Sequence, residues 1–308
     1  MKQGQANLPL ILGWVAVLLL FAGAVVWLGP ERLIAPWRAI DPFALLVALA
    51  LMLASYLIRT LRLTRYFQAG LAGQFWSAFR LSSWHNLMNN LLPMRTGEVA
   101  FPVLMQRYYG LSPFETVPVL LWFRLLDLQV VLLIGLAAGG QQLGINAWLL
   151  GLLIAVLLVI PVVAYGLKGW LRGRLVGREG RLVTKFVSML ESLPDRPSRF
   201  LGTLFWTWAN WLVKLAALGW VLASLAPLTF AQGVLGAIGG DLTTVLPIHA
   251  PGGFGTYEAG VAVFLGPMVG EPRMVLAAAV NLHLFVLGTA LLAAGASLLI
   301  RRPMAQSC

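Results

Sequence analysis

The chain has 308 residues, of which 59% are hydrophobic and only 11% charged, with a formal net charge of +11. Soluble domains carry about 25% charged residues, so the composition excludes a soluble fold and places the chain among integral membrane proteins. The single cysteine, Cys308, stands at the extreme end; this excludes an internal disulfide and a cysteine-based metal site, and it does not fit a prenylation signal, where the cysteine is fourth from the end.

About six runs are long enough to cross a bilayer of ~30 Å at 1.5 Å per residue. The first, 8–28, reads LPLILGWVAVLLLFAGAVVWL. It does not alternate, so it is a helix and not a barrel strand. It is longer than the apolar part of a signal peptide and is read as a retained span. The second run, 42–66, ends with Arg59, Arg62 and Arg65. They drift slowly around the helix and are read as snorkelling anchors, with capture of anionic headgroups as the alternative.

The segment 75–110 is apolar but interrupted by NNLLPMRTGE, residues 89–98. Pro93 frees a carbonyl one turn earlier, and Gly97 permits backbone geometries that other residues avoid. Together they predict one half-helix ending and another starting near Thr96, with Glu98 in its first turn. The free N–H groups of that start, beside Arg95, make an anion site suited to phosphate. The competing reading is that Arg95 and Glu98 neutralise each other and pin the turn. Irregular backbone at membrane depth is tolerated only where protein or a wet cavity covers it, so the segment is read as a re-entrant hairpin.

The run 113–139 carries Arg124 and Asp127 three residues apart on one helical face. They pair with each other, or Asp127 pairs with Arg95. The run 145–166 is followed by a basic loop, 168–199. Within it Leu182, Phe186, Met189, Leu190 and Leu193 share a helical face. That pattern fits a helix lying on an anionic inner leaflet, or plain positive-inside topology. The run 200–226 holds Lys214 near Asn210 and Trp211, facing a cavity. The 12 tryptophans are read as interfacial or packing residues without a ligand role.

The segment 229–270 is interrupted a second time, by Asp241, Thr243, Thr244, Pro247, His249, Pro251, the glycines Gly252, Gly253 and Gly255, then Thr256, Tyr257 and Glu258. A glycine-rich turn opening a helix again offers amides to an anion. No strand precedes it and no Lys-Ser/Thr follows, so it is not a nucleotide loop. His249 and Glu258 are candidates for moving protons, with a hydrogen-bonded structural histidine as the alternative for His249. The last span is 273–300.

With the N-terminus inside, the inner side collects Lys2, Arg59, Arg62, Arg65, Arg80, Arg95, Arg107, the cations of 168–199, Arg301 and Arg302, against Arg32, Arg38 and Arg273 outside. The positive-inside rule favours this orientation; two full spans in place of the hairpins would also keep both ends inside. The positive charge thus follows topology, and no nucleic-acid partner is expected. Span, span, hairpin, span occupies about 8–139 and recurs over about 145–300, with three crossings each. The expectation is one polytopic domain over 1–308: an all-α integral membrane protein of about six transmembrane helices and two broken re-entrant hairpins in an inverted repeat, an architecture common in transporters. Coincidence in a generic bundle is the alternative. No metal or cofactor is expected.

Asn90-Leu91-Leu92-Pro93-Met94-Arg95-Thr96-Gly97-Glu98, then Ser112-Pro113 through Arg124 and Asp127, then Leu246-Pro247 with Ala250-Pro251-Gly252-Gly253-Phe254-Gly255 and Glu258, together resemble the transmembrane region of lysylphosphatidylglycerol synthases, and more closely its stand-alone flippase-like relatives, including those linked to hopanoid biosynthesis. The resemblance covers nearly the whole chain. It implies a multi-pass protein of a bacterial or archaeal cytoplasmic membrane, both termini inside, that moves a lipid between leaflets without a catalytic residue. It also implies a headgroup site formed by Asn90, Arg95, Gly97, Glu98, Arg124, Asp127, His249, Gly252, Gly253 and Glu258. The substrate classes it brings are phospholipid, aminoacylated, polyprenyl and hopanoid lipids. The sequence shows no soluble aminoacyl-transferring part, so synthesis of the lipid is expected to fall to an enzyme encoded separately. The chain departs from the family pattern at Phe101, Phe123, Asn281 and His283, where charged residues are frequent, which brings a less anionic lipid into range.

Two rivals stand beside the translocator. One is an accessory or scaffold subunit of a lipid-modifying pathway, in which the Gly135-to-Gly139 spacing packs helices. The other is a membrane-embedded lipid-modifying enzyme, for which His85, His249 and His283 form no recognisable catalytic spacing.

Overall fold

The computed structural model describes residues 22, 23, 25–92, 97–175, 180–245 and 250–300. Every regular element among them is helical. In chain order these are α1 (Pro30–Ala39), α2 (Pro42–Tyr66), α3 (Gln68–Leu71), α4 (Phe75–Leu91), α5 (Gly97–Tyr109), α6 (Pro113–Gly139), α7 (Ala147–Leu175), α8 (Arg181–Ser192), α9 (Pro197–Leu225), α10 (Phe230–Val245), α11 (Thr256–Val269) and α12 (Pro272–Ala296). Short 3₁₀ turns occupy Pro251–Gly253 and Ser297–Leu299.

Five of these helices, α2, α6, α7, α9 and α12 with the turn that follows it, are long and apolar enough to cross a membrane. The predicted span 8–28 falls almost wholly outside the described residues. Pro42, Pro113, Pro197 and Pro272 each open a span; a proline there has no amide hydrogen to leave unpaired and its fixed φ suits the first turn. At α6 the start is also capped, Ser112 N–H donating to Glu115 Oε2 at 2.8 Å.

The two interrupted segments are pairs of short helices. At 1.5 Å per residue, the 17 residues of α4 span about 25 Å and the 13 of α5 about 20 Å. The 16 residues of α10 and the 14 of α11 give about 24 and 21 Å. None matches the ~30 Å apolar layer. Residues 93–96 and 246–249, between the partners of each pair, lie outside the described residues.

The described chain forms two compact units. One gathers the described residues within 22–53, 83–98 and 214–296; the other gathers those within 54–82, 99–213 and 297–300. In the first unit, α10 and α11 run antiparallel in close register: Gly236 faces Leu265, Gly239 faces Gly260 and Gly240 faces Tyr257. A Cβ on Gly239 would strike the Gly260 carbonyl, and one on Gly233 would strike the Gly219 carbonyl of α9. Small residues are what let backbones approach in a membrane, where apolar burial alone does not drive association. Gly239→Val is expected to destabilise the protein by about 1–3 kcal/mol through overpacking, read as a lowered unfolding midpoint in detergent; an unchanged midpoint would show that the helices can separate freely.

In the second unit, Leu63, Leu71, Met105, Val119, Leu126 and Phe200 form the centre of the core. The amphipathic pattern expected at 182–193 is met by α8, which docks beside α6 and α7. Leu190 is buried, while Leu182 and Phe186 remain exposed. Lys168, expected in the basic loop, belongs to α7; its ammonium donates to the carbonyls of Leu193 and Pro194 at 2.8 and 2.9 Å. It thereby satisfies carbonyls left over beyond the end of α8.

Candidate functional site

In the second unit, α2, α6 and α9 enclose an ion pair. Arg62 Nη1 donates to Asp127 Oδ1 at 2.6 Å and Nη2 donates to Oδ2 at 3.2 Å, a two-pronged contact between side chains only 4% and 6% exposed. Nη1 also donates to Thr207 Oγ1 at 2.8 Å, and the Trp211 indole N–H donates to Asp127 Oδ1 at 2.9 Å. The Phe123 ring lies 4.4 Å from the guanidinium. Arg124 approaches the second carboxylate oxygen at 3.8 Å with a side chain still 24% exposed. Arg59, one turn before Arg62, is near enough to feel the charges of Asp127 and Arg124. The buried amides of Gln129 and Asn210 each have an atom without a hydrogen-bond partner, Oε1 and Nδ2.

The geometry corrects two readings of the sequence, those of Arg62 and Trp211, and adds to a third, since the expected pairing of Arg124 with Asp127 is present at 3.8 Å. Arg62 is no snorkelling anchor: successive arginines three apart rotate by about 60° around a helix of 3.6 residues per turn, so Arg59 is half-buried, Arg62 turned inward and Arg65 exposed. The two-pronged partner of Asp127 is Arg62, with Arg124 at longer range. Trp211 is not a packing residue alone, since its N–H is committed to the carboxylate.

In the first unit, α11 starts at the glycine turn. Gly252, Gly253 and Gly255 have φ of 66°, 75° and 84°, the left-handed region that a side chain disfavours, which explains the glycine run without a nucleotide. The Gly255 N–H donates to Glu258 Oε2 at 2.7 Å, so Glu258 closes its own helix start. The other oxygen, Oε1, lies 2.7 Å from Nδ1 of His283 on α12, both side chains 4% exposed. The Tyr257 ring stacks on the imidazole at 4.5 Å and Phe254 packs at 4.7 Å. The Tyr257 hydroxyl is buried and has no hydrogen-bond partner. Lys214 of α9 pairs with Asp241 of α10 at 2.8 Å, with side chains 14% and 4% exposed. Trp37 of α1 donates to Asn281 Oδ1 at 3.0 Å.

At the start of α5, Gly97 leaves room for Asn89, whose side chain occupies the place a Cβ would need. Asn89 Nδ2 donates to Glu98 Oε1 at 3.4 Å and lies 3.1 Å from His85 Nε2. Asn90, from the predicted headgroup set, is half-buried beside it.

The residues expected from the sequence therefore fall into separate groups. Arg124 and Asp127 come together in one unit; Gly252, Gly253 and Glu258 come together in the other, as do Gly97 and Glu98. Arg95 and His249 lie outside the described residues. Read alone, the sequence assigns Arg62 and Trp211 other roles, does not single out Thr207, and leaves Lys214 unjoined to Asp241 and His283 unjoined to Glu258. The available signal was that an ionic group in the middle of an apolar span must find a partner.

A family model described as "Lysylphosphatidylglycerol synthase TM region" matches residues 14–295. Neither a curated protein nor a solved structure matches the chain.

Proposed function

The chain belongs to the lysylphosphatidylglycerol synthase TM-region family, and from that premise we propose that this multi-pass membrane protein is a translocator, carrying a lipid with a polar or anionic headgroup between the leaflets of a cytoplasmic membrane. The observation that carries the proposal is the Arg62–Asp127 centre. Helices α2 and α9 contribute Arg59 and Arg62, with Thr207 and Trp211, and contain no carboxylate; α6 contributes Arg124 and Asp127. Ionic groups inside spans are costly and mark substrate or ion pathways by default. A planar guanidinium suits a phosphate oxygen pair, and the partly exposed Arg124 is the group best placed to meet one. The unpartnered amides of Gln129 and Asn210 are further groups for a headgroup or its water to satisfy.

The short helices support the same reading. Two of them, α5 and α11, begin at the interruptions, where the positive end of a helix dipole favours an anion. Arg95, Gly97, Glu98, His249 and the glycine turn are assigned to the headgroup path on the strength of the family motif. The inverted repeat over about 8–139 and 145–300 supplies two halves that rock about such a path, with both termini cytoplasmic by the distribution of Lys and Arg.

Movement of fluorescent headgroup-labelled lipids in proteoliposomes tests the assignment. The panel spans phospholipid, aminoacylated, polyprenyl and hopanoid lipids, with wild type, Arg95→Ala and Arg124→Gln compared. Arg124→Gln leaves the Arg62–Asp127 contact in place, so the variant is expected to fold and to move lipid at least about tenfold more slowly, the loss of one charged contact worth ~1.5–3 kcal/mol. Wild-type rates in both variants would refute the headgroup site, and no movement of any lipid by folded protein would refute the translocator.

A further inference from the structure

We propose that His283, held by Glu258, is the site at which this protein binds and releases a coupling proton. The inference rests on the translocator reading for the role of the proton, but not for the existence of the site.

His283 lies eleven residues into α12, about 16 Å along its axis, close to the middle of a ~30 Å apolar layer. Its Nδ1–H donates to Glu258 Oε1, and the other carboxylate oxygen is already occupied by the Gly255 N–H. That hydrogen bond fixes the tautomer, so the second ring nitrogen, Nε2, is the atom that accepts an incoming proton. The proton comes from water on one side and returns to water on the other; no covalent bond to the protein other than N–H forms or breaks.

Among the described residues, Glu258 and Tyr257 of α11 contact the imidazole, and Tyr257 is within electrostatic reach of Asp241 of α10, which pairs with Lys214 of α9. With neutral His283, the set of Lys214, Asp241, Glu258 and His283 carries one excess negative charge; one proton cancels it. A buried uncompensated charge is expensive in a low-dielectric interior, so each state of the histidine changes what else the site tolerates. The rings of Tyr257 and Phe254 lie against the imidazole at 4.5 and 4.7 Å. The Tyr257 hydroxyl is buried without a hydrogen-bond partner, within electrostatic reach of both Asp241 and Glu258. Among the described residues, the other charged groups of the same unit are His85 and Glu98 about Asn89 on α4 and α5, Glu31, Arg32, Arg38 and Asp41 on and just after α1, and Glu271 and Arg273 at the start of α12.

Two measurements on the full chain decide the matter. Histidine imidazole nitrogens are followed by NMR in nanodiscs from about pH 5 to 9; with 3 histidines, each is assigned by its own substitution. Movement of a headgroup-labelled anionic phospholipid is measured in phosphatidylcholine vesicles for wild type and His283→Asn, whose amide replaces Nδ1–H but takes no proton. The His283 signal is expected to titrate and to shift in Glu258→Gln. The wild-type rate is expected to change severalfold with pH over the same range, and His283→Asn is expected to lose that response. A His283 signal that stays constant throughout, or a pH response retained in His283→Asn, overturns the proposal. Titration of His283 in protein that moves no lipid would support the proton site while sinking the translocator.

Discussion

Replacing Asp127 by alanine is expected to destabilise the protein by about 3–5 kcal/mol, the cost of leaving a buried guanidinium uncompensated. Arg62 loses both prongs of its contact, and the Trp211 N–H loses its acceptor. The remaining bond from Arg62 to Thr207 does not replace a charge. The double replacement Arg62→Met with Asp127→Leu removes the charges together and is expected to recover most of that stability, because the attraction within a buried pair roughly offsets its desolvation. Chemical unfolding in detergent measures both. The double variant then separates structure from transport: folded protein that moves lipid normally would show that the centre is only a structural cross-link, whereas folded protein without transport places headgroup recognition there.

The second large effect is expected at Glu258. Its carboxylate ties the glycine turn to α12, one oxygen accepting the Gly255 N–H and the other facing His283. Alanine strands the amide and the imidazole at once. Each orphaned buried polar group costs about 1–3 kcal/mol, so Glu258→Ala is expected to lose roughly 2–5 kcal/mol. Glutamine retains an acceptor for Gly255 and is expected to cost about 1 kcal/mol or less. Thermal unfolding of the two variants side by side provides the check, and equal losses would mean that the turn is held by something other than this carboxylate.

The helical fold was legible in the sequence because apolar runs of bilayer length admit few alternatives, and the places where spans are interrupted were legible because proline, glycine and polar residues collect there. The glycine turn is an example: GGFG in a helix context required positive φ, and three of its residues have it. What stayed hidden is pairing. Arg62 and Thr207 are 145 positions apart and Glu258 and His283 are 25 apart on different helices, so no local spacing joins them. Arg59, Arg62 and Arg65 look alike as a series, and only the rotation of α2 against α6 decides which of them turns inward. His283 stands out in the sequence only as a departure from the family pattern, because its partner is a single carboxylate from another helix start and no local spacing marks it.

Helix α7 contrasts with these crowded neighbours. It is the most apolar of the five spans, with a mean hydropathy of 2.8, yet only 6% of its central window is buried. Residues such as Val156, Leu158, Val159, Val162 and Val163 have a third or more of their surface uncovered. Their hydrophobicity answers to acyl chains and not to a protein core, so exchanges among Val, Ile, Leu and Phe along this helix cost almost no packing. Its length is the property under constraint: shortening or lengthening the apolar stretch trades against bilayer thickness by fractions of a kcal/mol per Å. Drift in the sequence of α7 would therefore record the membrane in which the protein lives more faithfully than the lipid it handles.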